Sequence, residues 1–565
     1  MIDTDKKFVS ILLDVLEEKG VRDVVCSPGS RNAPLLIGVG ARKSFRKHFV
    51  VDERSAAFQA LGIALVSRKP VILICTSGTA LLNYSPAIAE AYYQGVPLIV
   101  ISADRPIQWI DQDDSQTLRQ NEAMANFVKQ SYTIPASGEE NGELQWYVNR
   151  IVNDAFLSAC SGKQGPVHIN IALSEPLGRK IHSTPKKQRL VDLIEADSLG
   201  NKERIKELAK ELSQSKVLLV AGFMNPDAGL QKAVASFSQF ANVAVMAETL
   251  SNLHLDIENY SVDSTLTSLD DNQLESLRPD IVISIGGALV SRKLKEYLRA
   301  GADTMRHWSL GFSHTTTDPF MSLSLRLELD PARFLRNVSA VMKKTGIGHN
   351  VSRFKYKWHE LRMKALMAKK EFIKEIPWCE LRAFSEILGK LPGNYNLFLS
   401  NGTAVRYAQI VNHGLPHGNY CNRGVSGIDG SISTAIGGAL TYKNPTLIIT
   451  GDLSMTYDIG SLSCKEIPDN FKIIVMDNQG GGIFRFIPST STLDEREEFF
   501  CMPPNLPLRQ LAEAYQWKFF EADNQNALDH NLTKFFTCHG KAIMRIACDG
   551  EKSAEILKNY MNVKL

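Results

Sequence analysis

Continuous apolar runs, rather than alternating ones, set the pattern of this chain. Val24-Val25-Cys26, Phe49-Val50-Val51, Val71-Ile72-Leu73-Ile74-Cys75 and Leu98-Ile99-Val100-Ile101-Ser102 are separated by stretches of helical spacing, among them Ser55 to Val66 and Ala80 to Gln94. A strand without polar alternation is buried on both faces, and such strands alternating with helices predict a parallel sheet covered on each side. Another apolar run follows Gly165-Pro166, and Ser183-Thr184-Pro185-Lys186-Lys187-Gln188 reads as a linker. A first α/β domain is therefore expected over residues 1–182. A second block, 189–345, predicts strands at Val217 to Ala221, Val243 to Met246 and Asp280 to Ile285, the last closed by Gly286-Gly287. It lacks Gly-x-Gly-x-x-Gly, so its doubly wound pattern gives no ground for a dinucleotide, and a structural role is expected. A charged helical stretch, Ser352 to Glu375, leads into a third block, 376–565, with strands at Asn396 to Leu399, Thr446 to Ile449, Lys472 to Met476 and Ala542 to Ile546. The fold class is α/β, with three doubly wound parallel-sheet domains.

Length supports that division, since 565 residues exceed what one core organises. With 64 basic against 61 acidic side chains there is no long-range field for nucleic acid or an anionic membrane. Neither is an expected partner. No apolar run approaches the roughly 18 residues of a membrane span, and Met1 to Gly20 reads as an amphipathic helix without a signal-peptide profile. The nine cysteines are scattered, without a Cys-x-x-Cys pair. Buried, reduced thiols in a cytoplasmic protein are the economical reading.

Candidate chemistry concentrates in the third block. Gly451-Asp452-Leu453-Ser454 follows one apolar run, and Asp477-Asn478-Gln479-Gly480-Gly481-Gly482 follows the next, with Asn478 26 positions after Asp452. Both lie at carboxyl ends of strands, the edge where open α/β sheets bind ligands. A carboxylate, an amide oxygen and a Gly-rich turn suit a hard cation such as Mg²⁺, which keeps positions for phosphate oxygens. A diphosphate ligand follows. Taken locally, the same residues also read as an ordinary turn and loop. In the first block Asp52-Glu53-Arg54-Ser55 joins a strand to a helix, and there the plain alternative is a helix cap.

The pairing of Gly-Asp-X with an amide some two dozen residues later resembles the thiamine diphosphate motif. That motif usually reads Gly-Asp-Gly and Asn-Asn, so Leu453 and Asp477 depart from it. The resemblance implies metal ligation by Asp452, the Asn478 side chain and the Gly480 carbonyl, with Mg²⁺ or Mn²⁺, and a glutamate from the first domain that activates the aminopyrimidine, for which Glu53 is the candidate. It also implies cofactor contacts at Gly402, Thr403, Ser426, Gly451, Leu453 and Ser454.

Further segments narrow the match. Ser27-Pro28-Gly29-Ser30-Arg31-Asn32-Ala33-Pro34, Thr76-Ser77-Gly78-Thr79-Ala80, Ala103-Asp104-Arg105-Pro106, Asp114-Ser115-Gln116-Thr117, Asn422-Arg423-Gly424-Val425-Ser426-Gly427-Ile428-Asp429-Gly430 and Gly482-Ile483-Phe484 together resemble the MenD family, the 2-succinyl-5-enolpyruvyl-6-hydroxy-3-cyclohexene-1-carboxylate synthases of menaquinone biosynthesis. This resemblance implies decarboxylation of 2-oxoglutarate and 1,4-addition of the succinyl carbanion to isochorismate. Both substrates are dianions, for which guanidinium groups are natural partners. By resemblance Arg31, Arg105, Arg406 and Arg423 bind substrate, with the pair Arg292-Lys293 from the middle domain. Ser30 and Gln116 would hydrogen-bond substrate or intermediate. Ile428 would support the cofactor's bent shape, and Ile483 with Phe484 would form an apolar wall. Lys293 and Gly402 depart from the family's usual arginine and serine. Self-association is also implied, with Glu53 from one subunit and Asp452 from another in each site. The absence of a His-His pair separates the chain from simple pyruvate-type decarboxylases. Other readings are an acetohydroxyacid synthase-like carboligase or 2-oxoacid decarboxylase, and a non-catalytic cofactor-binding regulatory relative. A Rossmann dehydrogenase is disfavoured by the missing glycine fingerprint.

Overall fold

Every residue of Val71–Cys75 is buried, and the strand is hydrogen-bonded in parallel on both sides, to Asp23–Cys26 and to Leu98–Asp104. That double burial is what a run of five apolar residues requires. The computed structural model describes residues 2–184, 186–194, 202–255, 261–411 and 418–565. Pro185 of the linker lies outside the described residues.

The chain forms two compact units, one of Met1–Glu195, Asn422–Thr446 and Tyr457–Phe471, the other of Ala196–Cys421, Leu447–Thr456 and Lys472–Leu565. The first holds a six-stranded sheet in the order Arg46–Phe49, Asp23–Cys26, Val71–Cys75, Leu98–Asp104, Val167–Ala172, Ser131–Ile134, parallel throughout. Helices Lys7–Glu18 and Gly142–Cys160 close one face with Phe8, Leu12, Leu16, Val148 and Val152. The second unit holds a five-stranded parallel sheet, Val243–Ala247, Val217–Ala221, Ile281–Ile285, Arg306–Leu310, Leu323–Leu327. The third sheet runs Asn419–Tyr420, Asn396–Leu399, Thr446–Gly451, Phe471–Asp477, Ala542–Ala547, Lys518–Ala522. Three helix-flanked parallel sheets match the expected fold class.

Several local expectations shift. The strand read at Phe49 to Val51 is Arg46–Phe49 instead; Val50 is buried but Val51 is 80% exposed, because Asp52 caps the helix that follows. The helix read from Ala80 to Gln94 is two, Thr79–Asn83 and Ser85–Gln94, with Pro86 in the first turn of the second. The amino-terminal helix is shorter, Lys7–Glu18. Residues Ile2–Thr4 before it pair antiparallel with Lys180–His182. None of the nine cysteines is exposed, and no disulfide joins them among the described residues.

The charged stretch before the third block is helix Phe354–Glu375, and it carries one unusual side chain. Lys369 is 1% exposed, donates to the Tyr560 carbonyl and stands 4.5 Å from the Tyr560 ring centroid. Burial, and then the Lys564 charge, pull its pKa down to about 7. The unfolded chain keeps that proton to the ordinary lysine value of 10.5. Stability therefore rises with pH between about 7 and 10.5, by at most about 1.4 kcal/mol per pH unit. Denaturant melts of the parent and of Lys369→Met from pH 7 to 9.5 should show this slope only in the parent. Parallel slopes would contradict it.

Candidate active site

In the first unit the strand-to-helix joint divides two roles between neighbours. Asp52 is the cap: its carboxylate accepts from Ser55 N at 3.3 Å. Glu53 begins the helix Glu53–Ser67, half-buried, and its carboxylate makes no hydrogen bond or ion pair among the described residues. It lies close to Cys75, whose thiol is pushed up by burial and then by the Glu53 charge. The helix is crossed at backbone distance by Ser431–Thr441: a Cβ on Gly62 would strike Thr434 O, and one on Gly437 would strike Gln59 O. Small residues at a crossing permit this approach.

The loop leading into Ser431–Thr441 carries Arg423, Ser426 and Ile428. Arg423 is buried, whereas Ile428 leaves 37% of its surface exposed. Ser426 sits at φ 71°, in the left-handed region that disfavours a side chain. What holds the loop there is Glu90, buried on helix Ser85–Gln94. Its carboxylate accepts from Gly424 N, from Val425 N at 2.7 Å and from Ser426 N at 3.3 Å. The sequence reading missed Glu90; its only local signal is an acid within Ala87-Ile88-Ala89-Glu90-Ala91.

Arg31 and Arg105 lie close enough to depress the Arg31 pKa, although burial is the larger cause. Arg31 Nη1 donates to Leu173 O at 3.0 Å and pairs with Glu175 at 3.3 Å, while its Nε is buried without a partner among the described residues. Arg105 pairs with Asp114 and donates from Nη1 to Ser77 Oγ and Gln116 O, both at 3.1 Å. Gln116, at φ 58°, donates to Ser77 O at 3.1 Å. Ser30 is exposed beside Arg31. Gln120, also missed, is buried beneath these loops: its Oε1 accepts from Gly78 N at 2.8 Å and its Nε2 donates to Ala103 O at 3.1 Å and Asn170 Oδ1 at 2.9 Å.

In the second unit Asp452 and Asn478 stand at the ends of Thr446–Gly451 and Phe471–Asp477. Asp452 accepts from Gly480 N at 2.7 Å and Leu453 N at 2.8 Å. Asn478 is 3% exposed, and its Oδ1 has no hydrogen-bond partner among the described residues. Its amide is hydrogen-bonded to Glu380, a third residue the sequence reading missed. Glu380 also accepts from Thr403 Oγ1 at 3.4 Å and Tyr407 Oη at 3.5 Å. Burial first, then the Asp452 charge, push Glu380 up to about 7; burial pushes Asp452 up to about 6. Gly480 O accepts from Gly482 N at 2.9 Å, leaving its second lone pair. No group of three or more His, Cys, Asp and Glu suited to a metal ion is found among the described residues.

Around this edge, Ser454 is buried and Gly451 and Leu453 are half-buried. Gly402 has φ +91°, a conformation that a serine would strain. Arg406 lies on helix Ala404–Ile410 and donates back to Gly402 O. Its charge and that of Lys293 both act on Asp263, which accepts from Ser291 Oγ at 2.7 Å. Arg292 and Lys293 lie on the exposed first turn of helix Arg292–Arg299, each paired with Glu296. Ile483 and Phe484 are half-buried on helix Gly482–Phe486, Phe484 with its ring 5.7 Å from that of Phe500.

Residues 6–124 match the family model described as thiamine pyrophosphate enzyme, N-terminal TPP binding domain. Three similar proteins are each named 2-succinyl-5-enolpyruvyl-6-hydroxy-3-cyclohexene-1-carboxylate synthase. That of Porphyromonas gingivalis is 38% identical over 99% of this chain and 97% of its own length. The Cytophaga hutchinsonii protein is 39% identical and the Flavobacterium johnsoniae protein 34% identical, each over 97% of both chains. Likeness at that level over nearly the whole length settles the assignment: the chain belongs to the 2-succinyl-5-enolpyruvyl-6-hydroxy-3-cyclohexene-1-carboxylate synthase family of thiamine pyrophosphate enzymes.

Proposed function

We propose that this protein decarboxylates 2-oxoglutarate and adds the remaining succinyl unit to isochorismate by 1,4-addition, giving 2-succinyl-5-enolpyruvyl-6-hydroxy-3-cyclohexene-1-carboxylate for menaquinone biosynthesis. Besides family membership, the observation that carries the reading is Asn478 Oδ1, a buried acceptor without a partner among the described residues, next to a buried carboxylate. An orphaned buried oxygen is costly unless something binds it. An amide oxygen, a carboxylate and a backbone carbonyl are the hard donors that Mg²⁺ or Mn²⁺ takes. The residues thus fit a metal held by Asp452, Asn478 and Gly480, with a diphosphate beside Gly451, Leu453, Ser454, Gly402, Thr403 and Ser426. Thiamine diphosphate, when bound, supplies the electron sink for carbon dioxide loss and carbon–carbon bond formation.

The chain's own residues do the rest. The Glu53 carboxyl, without a competing partner, holds a proton at the pyrimidine ring nitrogen. Arg31 and Arg105, two cations kept close together, bind carboxylate, and Arg406, Arg423, Arg292 and Lys293 provide further positive groups for the second dianion. Ser30 and Gln116 orient polar groups of the substrates. Ile428, Ile483 and Phe484 form the apolar side that excludes water. We place the active sites between two copies of the chain, Glu53 from one and Asp452 from the other, in a cytoplasmic enzyme that engages neither nucleic acid nor membrane. No helix among the described residues is long and apolar enough to cross a membrane. The division into domains 1–182, 189–345 and 376–565, for pyrimidine, structural support and diphosphate, belongs to the same proposal.

Mass spectrometry of products tests it directly. With 2-oxoglutarate, isochorismate, thiamine diphosphate and Mg²⁺, the adduct should form together with carbon dioxide. Turnover of pyruvate alone, without adduct from the first pair, would point to an acetohydroxyacid synthase-like carboligase or a simple decarboxylase instead. Cofactor binding without carbon dioxide release would point to a regulatory relative.

A further inference from the structure

Past Asn478 the backbone turns through two left-handed residues, Gln479 at φ 62° and Gly480 at φ 115°, and something must hold so unfavourable a turn for a non-glycine. The side chain that reaches it is Arg485, 4% exposed on helix Gly482–Phe486. Its Nη1 donates to Asn478 O at 2.8 Å and its Nη2 to Gln479 O at 2.9 Å. The fork thus takes two successive carbonyls of the turn. The other edge of the guanidinium faces Glu497: Nε donates to Oε1 at 3.1 Å and Nη2 to Oε2 at 2.7 Å. Arg496 Nε donates to the same Oε1 at 2.9 Å. Gly550 leaves the space, for a Cβ there would strike Arg485 Nη1 and crowd Asn478 O.

We propose that Arg485 is a positioning residue for the metal site, and Glu497 the counter-charge that lets a cation serve beside another cation. The inference rests on the reading of Asp452, Asn478 and Gly480 as metal ligands. By taking the Asn478 and Gln479 carbonyls, the planar fork fixes the peptide planes of the turn. The Gly480 N–H then stays on the Asp452 carboxylate, at 2.7 Å, and the Asn478 side chain and Gly480 carbonyl are held with the same turn. A lysine offers one point donor group where two carbonyls need a fork. A guanidinium this close would repel a divalent ion through a medium of low dielectric. The forked pair with Glu497 cancels that charge while leaving the two donor bonds in place. Glu497 has a side chain 48% exposed, so its contribution is open to salt screening, whereas the buried geometric contribution of Arg485 is not.

The test titrates Mn²⁺ into the metal-free full-length protein at fixed thiamine diphosphate, reading free Mn²⁺ by its electron paramagnetic resonance signal, with melting temperature measured separately. Arg485→Met and Arg485→Lys should each weaken Mn²⁺ binding by about 10- to 100-fold, the range typical of residues that orient metal ligands. Glu497→Gln should weaken it by less, and 1 M salt should abolish that deficit but not the deficit of the arginine variants. If Arg485→Met does not fold, Arg485→Lys decides. Folded Arg485→Lys binding Mn²⁺ within twofold of the parent, with any loss confined to melting temperature, overturns the proposal and leaves the metal reading standing. Asp452→Asn separates the two ideas: parental binding that survives this substitution removes the metal site itself, and the proposal with it.

Discussion

Glu53→Gln should lower turnover by about 10²- to 10⁴-fold, the usual cost of a lost proton-transfer group, with little change in folding stability. The substitution is nearly isosteric, and the carboxylate it removes has no partner among the described residues to leave stranded. Its structural service among the described residues is a negative charge at the first turn of helix Glu53–Ser67. Such a charge beside a helix amino terminus is worth about 0.3–1 kcal/mol. Asp52 continues to cap the helix through Ser55 N. Steady-state kinetics with both substrates, run beside a thermal melt, check the split. Unchanged turnover would remove Glu53 from the mechanism, and a collapse of the melt would assign it to the fold instead.

The second large effect is expected at Asp452. Asparagine there keeps one acceptor, but turns an NH₂ group toward the second of two backbone N–H groups, Leu453 and Gly480, that the carboxylate now satisfies. It also removes the one charge in the proposed ligand set. Mg²⁺-dependent binding of thiamine diphosphate should weaken by more than about 100-fold, beyond what loss of an outer partner produces. Proton competition gives an independent signature. Burial pushes Asp452 up to about 6, and a metal needs the deprotonated form. Parental metal affinity should therefore fall about tenfold per pH unit below about 6. In the metal-free protein the sign is opposite. The contribution of Asp452 to stability is complete below the ordinary aspartate value of 3.8 and is lost as pH rises through about 6. Calorimetric titrations from pH 5 to 8 and melts with and without Mg²⁺ would show both. A metal affinity insensitive to pH would contradict the assignment.

Strands buried on both faces were the most legible part of the fold. Val71–Cys75, Val217–Ala221 and the run Ile473 to Met476 within Phe471–Asp477 advertise themselves because nothing polar interrupts them. The misplaced or unread strands are mostly sheet edges: Arg46–Phe49, Ser131–Ile134, Leu323–Leu327, Lys518–Ala522 and Asn419–Tyr420. An edge has one covered flank, tolerates charge and alternation, and so loses the signal. Arg306–Leu310 is internal, yet carries Arg306, His307 and Ser309. At the site, ligand-type residues were legible because their chemistry is local to a motif. Glu90 was not, since its contact with Gly424 spans 334 positions. Glu380 and Gln120 share that character. Each acts by taking backbone groups or side-chain amides of a distant loop, and a sequence shows the residue but not the groups it meets.

The glycine crossing of Glu53–Ser67 and Ser431–Thr441 has a consequence for how this lobe tolerates change. Main chain resting on main chain behaves as a hard stop: bulk added on either side has no side chain to bend aside, and the displacement passes along both rods to their tips. One tip bears Glu53 and the other continues the loop of Ile428. Drift in sequence at Gly62 or Gly437 should therefore displace Glu53 and the Ile428 loop, the groups proposed to meet the cofactor, as well as strain the packing.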